Sequence, residues 1–303
     1  MDIRIYYNSL SNNGRGEECL QALKLRFPAD NLIACDITKV DDIKKEIDSV
    51  PADDKVVICG GDGTLNRFVN TYDPAGLKRD IWYYPIGSGN DFMNDLNKTV
   101  DDCPFVINDY IKNLPEVHVN GKTYKFINNV GFGIDGYCCE EADRVRALSK
   151  KKKINYTKIA LRGFMGAYSP ANAVVVVDGV RKEYKDVWLA SAMKGRYCGG
   201  GMMLAPSQDR SNPNNTITVP IVHGHSKFKM LRRFSSVFKG THEKYTDICD
   251  FFSAHEVEVT FDGPCALQID GETVLGVYRY SASTSHRPDE NSYFQNFQSE
   301  FLG

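Results

Sequence analysis

The sequence predicts a two-domain protein: a three-layer α/β domain, then a largely antiparallel β-sandwich domain, with a cleft between them. Three observations carry this. Short β-branched runs alternate with helical stretches up to about residue 115, which implies a parallel sheet. Polar, glycine-bearing loops follow three of those runs, at 8–16, 60–66 and 87–91, where a doubly wound sheet binds its ligand. From about residue 116 the pattern turns β-rich, and a length of 303 residues suits two domains. The expected boundaries are 1–115 and 116–285.

Residues 3–8 alternate and end at Asn8. The loop Ser9–Gly16 leads into a helix to about Phe27, with Leu20, Leu23 and Phe27 on one face. Strand 32–36, helix 40–49 and strand 55–59 continue the alternation. β-Branched residues dominate Lys55–Cys59, which reads as a fully buried strand. Gly60-Gly61-Asp62-Gly63-Thr64-Leu65-Asn66 stops it, and a helix is expected from Thr64. Glycines there let the backbone approach a ligand closely. The following helix N-terminus offers free N–H groups and a positive dipole end, which suit a phosphate. Asp62, at the lip of the strand, is placed to orient a magnesium ion through water. Strand 81–85 then runs into Pro85-Ile86-Gly87-Ser88-Gly89-Asn90-Asp91-Phe92.

In the second half, Val117–Tyr124 reads as a hairpin turning at Asn120-Gly121. Lys122-Thr123 is no Walker A ending, because Glu116 stands where that motif needs glycine. Gly131, Gly133 and Gly136 spell a dinucleotide fingerprint, but the acid it requires about 20 residues on is replaced by the basic run Lys150–Lys153. Helices are expected at 136–148 and 155–167, and strands at 172–177 and 186–193. Ser226–Lys239 reads as an amphipathic helix with Phe228, Leu231, Phe234 and Phe238 in a stripe that packs on the domain. Its flanking Lys227, Lys229, Arg232, Arg233 and Lys239 suit an anionic membrane, as does the lysine run. Strands 256–261, 265–270 and 274–280 close the domain, with Asp270-Gly271-Glu272 between the last two.

A net charge of −2 and a pI near 6.3 argue against a dedicated nucleic-acid binder. The nine cysteines are scattered, with no C-x-x-C pair, which speaks for a reducing, cytoplasmic setting and against zinc. The six histidines form no metal-ligand spacing. Met1–Tyr7 reads as a strand rather than a signal peptide, and no apolar run approaches the ~20 residues of a membrane span. Membrane contact is therefore expected to be peripheral.

Gly60–Asn66 resembles the nucleotide-binding signature of the diacylglycerol kinase-like lipid kinases, whose superfamily includes the NAD kinases. The resemblance extends loop by loop. Asn8, Ser11, Gly14 and Gly16 take the places of the family's first phosphate loop, with Ser9 for its proline, and Thr38 matches a nucleotide-contacting position. Pro85–Phe92 is similar to Pro-x-Gly-Thr-x-Asn-Asp-Phe, with Ser88 for threonine. The implied ATP site is thus Asn8, Ser11, Gly14, Gly16, Thr38, Gly60, Gly61, Asp62, Gly63, Thr64, Asn66, Ser88 and Asn90, with Asp62 and Asp91 at Mg²⁺. Asn129–Asp135 is similar to the family's cleft-lining stretch, so Asp135 is either an active-site carboxylate or a helix cap. Glu272 matches the proton acceptor that activates the acceptor hydroxyl; in isolation, Asp-Gly-Glu reads as a hairpin turn.

Gly199-Gly200-Gly201-Met202 also fits the family, whereas Asn214-Asn215 stands where relatives carry Asp-Gly at a structural magnesium, which speaks against a second metal. The resemblance implies an ATP-dependent kinase for a diacylglycerol-like or other long-chain lipid alcohol at a membrane surface. It also implies a tail, 286–303, returning to the first domain, and a homodimer as in some relatives. An NAD kinase and a non-catalytic nucleotide-binding module are the alternatives. The Asn90-Asp91-Phe92 loop, Asn129-Val130-Gly131 and the late Asp-Gly-Glu favour the lipid branch.

Overall fold

The structure, a computed structural model, describes residues 2–14, 16–26, 31–87, 89–148 and 154–284. Ser88, Phe27, the lysine run 150–153 and the tail 286–303 lie outside the described residues.

The first domain runs β1 (Ile3–Tyr7), α1 (Ser11–Gly14), α2 (Gly16–Arg26), β2 (Leu32–Asp36), α3 (Ile43–Asp48) and β3 (Lys55–Gly60). It continues with α4 (Asp62–Thr71), β4 (Ile81–Pro85), α5 (Asp91–Asp95), β5 (Phe105–Val106) and α6 (Asn108–Ile111). Its five-stranded sheet has the order β2-β1-β3-β4-β5, parallel except for β5. β3 lies at the centre and is buried from Val56 to Gly60, so its unbroken apolar run needs no alternation. The expected helix at 40–49 is shorter because Asp42 caps it, accepting from Lys45 N, after a tight turn that Asp36 caps. α4 begins at Asp62, two residues earlier than expected, so Gly63 and Thr64 belong to its first turn.

The second domain contains β6 (Glu116–Val119), β7 (Lys122–Lys125), β8 (Asn129–Gly133), α7 (Ile134–Leu148), α8 (Tyr156–Arg162), β9 (Ala171–Val177) and β10 (Val180–Met193). After these come β11 (Tyr197–Cys198), β12 (Met202–Met203), β13 (Ile217–His223), α9 (Lys227–Phe234), β14 (Cys249–Ala254), β15 (Glu256–Ile269) and β16 (Glu272–Ser283). The main sheet has nine strands, and every pairing within it is antiparallel. β9 pairs with both β10 and β15, and β8 pairs with the same two, so these strands close into a ring. β10 passes from β9 to β8 between Val187, which still faces Ala171, and Leu189, which faces Gly133. β15 does so near Gly263-Pro264, where register shifts between Thr260 and Cys265. Two separate strands were expected there. Pro264 cannot donate to the ladder, yet a bulge absorbs it and the strand runs on.

Inside the ring, Phe132 stacks on Phe261 with centroids 4.0 Å apart, and Tyr280 meets Phe132 edge-on. A separate apolar cluster around Trp188 forms where α7, α8 and α9 cover the sheet. The helix expected over Ser226–Lys239 ends as α9 at Phe234 and continues as a 3₁₀ segment over Ser235–Lys239. Its stripe is split: Met230 is buried and Phe234 packs on this cluster, whereas Phe228, Leu231 and Phe238 face outward. Among the described residues no helix is long and apolar enough to cross a membrane.

Candidate active site

Loops from both domains meet above the carboxyl end of β3. Glycine is required there for lack of space. A Cβ on Gly60 would lie 2.3 Å from Thr64 Cβ, and one on Gly61 would lie 3.0 Å from the Gly87 Cα. The loop after β3 can therefore touch the loop after β4, which only two glycines permit. From the β1 side, Asn8 Nδ2 donates to Thr64 Oγ1 at 3.1 Å, and the Ser11 and Thr64 hydroxyls are 3.2 Å apart. Gly61 caps α4 with no side-chain hydrogen bond. In the first turn of α4 the Thr64 N–H donates back to the Gly61 carbonyl at 3.0 Å, whereas the Asp62 and Gly63 N–H groups have no acceptor among the described residues, an arrangement that suits phosphate.

Carboxylates lock this junction. Asp62 accepts from the backbone N–H of Asp91 and Phe92, both at 3.0 Å, and from Asn128 Nδ2 at 3.2 Å. Asp91 accepts from Gly200 N and Gly201 N, both at 2.8 Å, which ties the first domain to the glycine turn of the second. Burial, and next the charge of Asp62, push Asp91 up to about 7, against the pull of the glycine N–H groups. No lysine or arginine pairs with Asp62 or Asp91 among the described residues. Asp270 accepts from the backbone N–H of Ile127, Asn128 and Asn129, and from Asn66 Nδ2 at 2.7 Å.

Asp135 stands in the first turn of α7, where its carboxylate accepts from Asn129 Nδ2 at 3.1 Å and Gln268 Nε2 at 2.8 Å. Burial raises its pKa, and those two amides oppose the shift. A Cβ on Gly131 would sit 1.8 Å from Asp135 Oδ2, and one on Gly136 would sit 1.8 Å from the Ala266 carbonyl oxygen. The fingerprint-like glycines therefore make room for Asp135 and for helix-on-strand packing. Glu272 opens β16 and faces the glycine loop after β3; a Cβ on Gly63 would lie 3.6 Å from its Oε1.

One cavity of about 1570 Å³ joins these groups. Its polar arm is lined by Asn8, Gly61–Thr64 and Gly89; Asp135 and Glu272 stand on its wall. Its other arm runs into the Trp188 cluster, between Cys138, Ala160, Phe164, Leu189, Met230 and Ile248.

Family models account for both halves. The diacylglycerol kinase catalytic domain matches residues 2–116, and the YegS C-terminal NAD kinase beta sandwich-like domain matches residues 128–284. This chain belongs to the bacterial diacylglycerol and lipid kinase-like family. It is 23% identical over 202 residues to a diacylglycerol kinase of Mycobacterium tuberculosis, covering 64% of this chain and 63% of that protein. It is 25% identical over 227 residues to a diacylglycerol kinase of Bacillus subtilis, covering 72% and 71% of the two chains. The crystal structure of a diacylglycerol kinase from Bacillus anthracis superposes with a TM-score of 0.59 at 16% identity over 93% of each chain, a likeness of fold.

Against the family pattern, the cavity brings together Asn8, Ser11, Gly14, Gly61, Asp62, Gly63, Thr64, Asn66, Asp91, Asp135 and Glu272. Thr38, Gly16, Gly60 and Asn90 stand off its wall. Thr38 turns its hydroxyl to Asp36 at 2.8 Å and to Ser9 at 3.3 Å, so Ser9 ties the loop after β1 to the end of β2. Burial alone would raise the Asp36 carboxyl, but its bonds to Thr38 and Ser9 bring it down to about 2. Gly16 lets α2 approach the loop, since a Cβ there would meet Asn8 O at 2.1 Å. Asn66 lines the cavity but commits its amide to Asp270 and the Lys125 carbonyl.

Sequence reasoning missed the groups that hold the domains together. Buried Asp95 pairs with Arg196 and Arg210, and Arg210 also donates to the Ile127 carbonyl and to Asn128 Oδ1. These partners are far apart in sequence, and Arg210 stands in the polar run Ser207–Asn212, so no local signal marked them.

Proposed function

We propose that this chain is an ATP-dependent lipid kinase that transfers the γ-phosphoryl group to the hydroxyl of a diacylglycerol-like or other long-chain lipid alcohol. The observation that carries this reading is the shape of the cavity: a polar arm under the glycine loops is continuous with an apolar arm, and both carboxylates Asp135 and Glu272 stand on its wall. An amphiphile with one hydroxyl and a long chain is complementary to that combination, and a ribose carrying a charged dinucleotide is not. In this reading residues 1–115 carry the nucleotide and 116–285 the acceptor.

The Asp62 and Gly63 N–H groups at the start of α4, with Asn8 and Ser11, hold the phosphates. The acceptor oxygen attacks the γ-phosphorus, the bond to the bridging oxygen breaks, and ADP leaves. Glu272 takes the hydroxyl proton. Asp135, fixed by Asn129 and Gln268, orients that hydroxyl. Asp62 and Asp91 would hold a magnesium ion: they offer carboxylate oxygens, no side-chain cation offsets them among the described residues, and burial, then the charge of Asp62, raises the proton affinity of Asp91. No group of three or more metal-ligating side chains occurs among the described residues, so phosphate and water oxygens would complete the shell. When bound, the ion neutralises charge on the phosphate oxygens.

Ala160, buried on the apolar arm, supplies the test. Ala160→Phe is expected to raise KM for a long-chain acceptor about tenfold or more, roughly the effect of one misfit contact in an apolar pocket. ATP affinity is expected to stay unchanged. Unaltered kinetics would remove the apolar arm from acceptor binding.

A further inference from the structure

The segment that closes the apolar arm has a second face. Although the chain is net acidic, the stretch from Gly224 to His242 carries Lys227, Lys229, Arg232, Arg233 and Lys239 and no acidic residue. Lys229 and Arg233 pair with Asp247, whereas Lys227, Arg232 and Lys239 have no carboxylate partner among the described residues. Between these charges stand Phe228, 74% exposed, Leu231, 37%, and Phe238, 41%. Met165, 68% exposed, adds to the same side, because the turn at Gly166 lies beside the Lys227 ammonium. On the inner side of the same segment Met230, Phe234 and Val237 line the cavity. One layer of helix therefore separates the apolar arm from a surface of exposed aromatic rings and unpaired cations.

We propose that residues 227–239 are a docking surface for an anionic lipid bilayer. The rings enter the acyl boundary, and the cations sit among the headgroups. A second copy of the chain is a poor occupant, because a two-fold contact would set Lys227, Arg232 and Lys239 against themselves. Nucleic acid would satisfy the cations but leave the rings in water. Docking here places the wall of the apolar arm at the interface, so the acceptor reaches the site from the bilayer; this last step rests on the lipid-kinase reading, and the docking does not.

The test is co-sedimentation of the full chain with vesicles of phosphatidylglycerol in phosphatidylcholine, against phosphatidylcholine alone, at low and high salt. Salt-sensitive binding to the anionic vesicles only is expected. Phe228→Ser with Phe238→Ser, and separately Lys227→Gln with Arg232→Gln, should each lower partitioning at least tenfold, with thermal melts showing that the charge variant keeps its fold. Equal binding to both vesicle types, no binding, or unchanged binding of the charge variant would overturn the proposal. So would a change of solution mass in the Phe variant without any vesicle binding by the parent chain, since the patch would then be a self-contact. Vesicle binding that the variants lose, in a protein that phosphorylates no lipid, would uphold docking and remove the kinase reading. Lipid phosphorylation that survives unchanged in both variants alongside full vesicle binding would do the reverse.

Discussion

At Gly131 a methyl group has no room, because the Asp135 carboxylate occupies its place. Gly131→Ala is therefore expected to displace Asp135 and to lower Tm, with a cost of about 1–3 kcal/mol for overpacking. The check is thermal melting together with turnover; a variant as stable and active as the parent would show that Asp135 moves freely. Lys194 offers a pH test. It is buried with its ammonium on Asn215 Oδ1 at 2.6 Å, and burial first, then repulsion by Arg210, lowers its pKa to about 8. An unfolded lysine titrates near ~10.4. Between those values the unfolded chain binds more protons, so stability should rise as pH goes from about 8 to ~10.4. Lys194→Met should flatten that rise in denaturant titrations across the range. Neither residue was legible in the sequence as what it is. Gly131 looked like part of a nucleotide fingerprint because the spacing says nothing of what fills the space above it. Lys194 gave no signal, since its burial is set by a loop some twenty residues on.

Among the elements, α5 and β8 show how helices and strands of different domains are fastened. Asp95, at the end of α5, would be raised by burial, but the Arg210 charge and the bonds from Arg196 hold it below the usual carboxylate range. Breaking one side of such a pair leaves a buried charge unanswered. Asp95→Asn should cost about 3–5 kcal/mol in urea unfolding, and Asp95→Leu with Arg210→Met should cost less than the two single changes added together. Simple additivity would mean that the groups do not act as a pair. The parallel strands were legible because β-branched runs must lie inside a parallel sheet, and so was the hairpin at Asn120-Gly121, whose φ values of 48° and 72° suit those residue types. β15 was not, because Gly263-Pro264 carries the local signal of a break that a bulge overrides. Nor was the division of α9, whose apolar positions serve an inner cavity and an outer surface at once.

The whole molecule is organised by polar latches that cross between domains: Asp91 to Gly200 and Gly201, Asn66 to Asp270, and Asp95 to Arg196 and Arg210. The same loops carry the candidate site, so the contacts that join the domains also position its residues. The two domains should accordingly unfold in a single transition, and Asp270→Ala should split it in calorimetry while reducing turnover. The glycine loops and carboxylates gathered around the cavity stand out in the sequence because they are local motifs; the apolar arm of the cavity does not, because it is bounded by side chains spread from α7 to β14. The acceptor is what separates a lipid kinase from an NAD kinase. The most direct measurement offers labelled ATP and magnesium to the protein with a total bacterial lipid extract and NAD in parallel, using Glu272→Gln as the control. Label in the lipid phase, falling by about 10²–10⁴ in the variant while ATP binding persists, is the predicted result. Label in NAD alone, or none in either with ATP still bound, would contradict it.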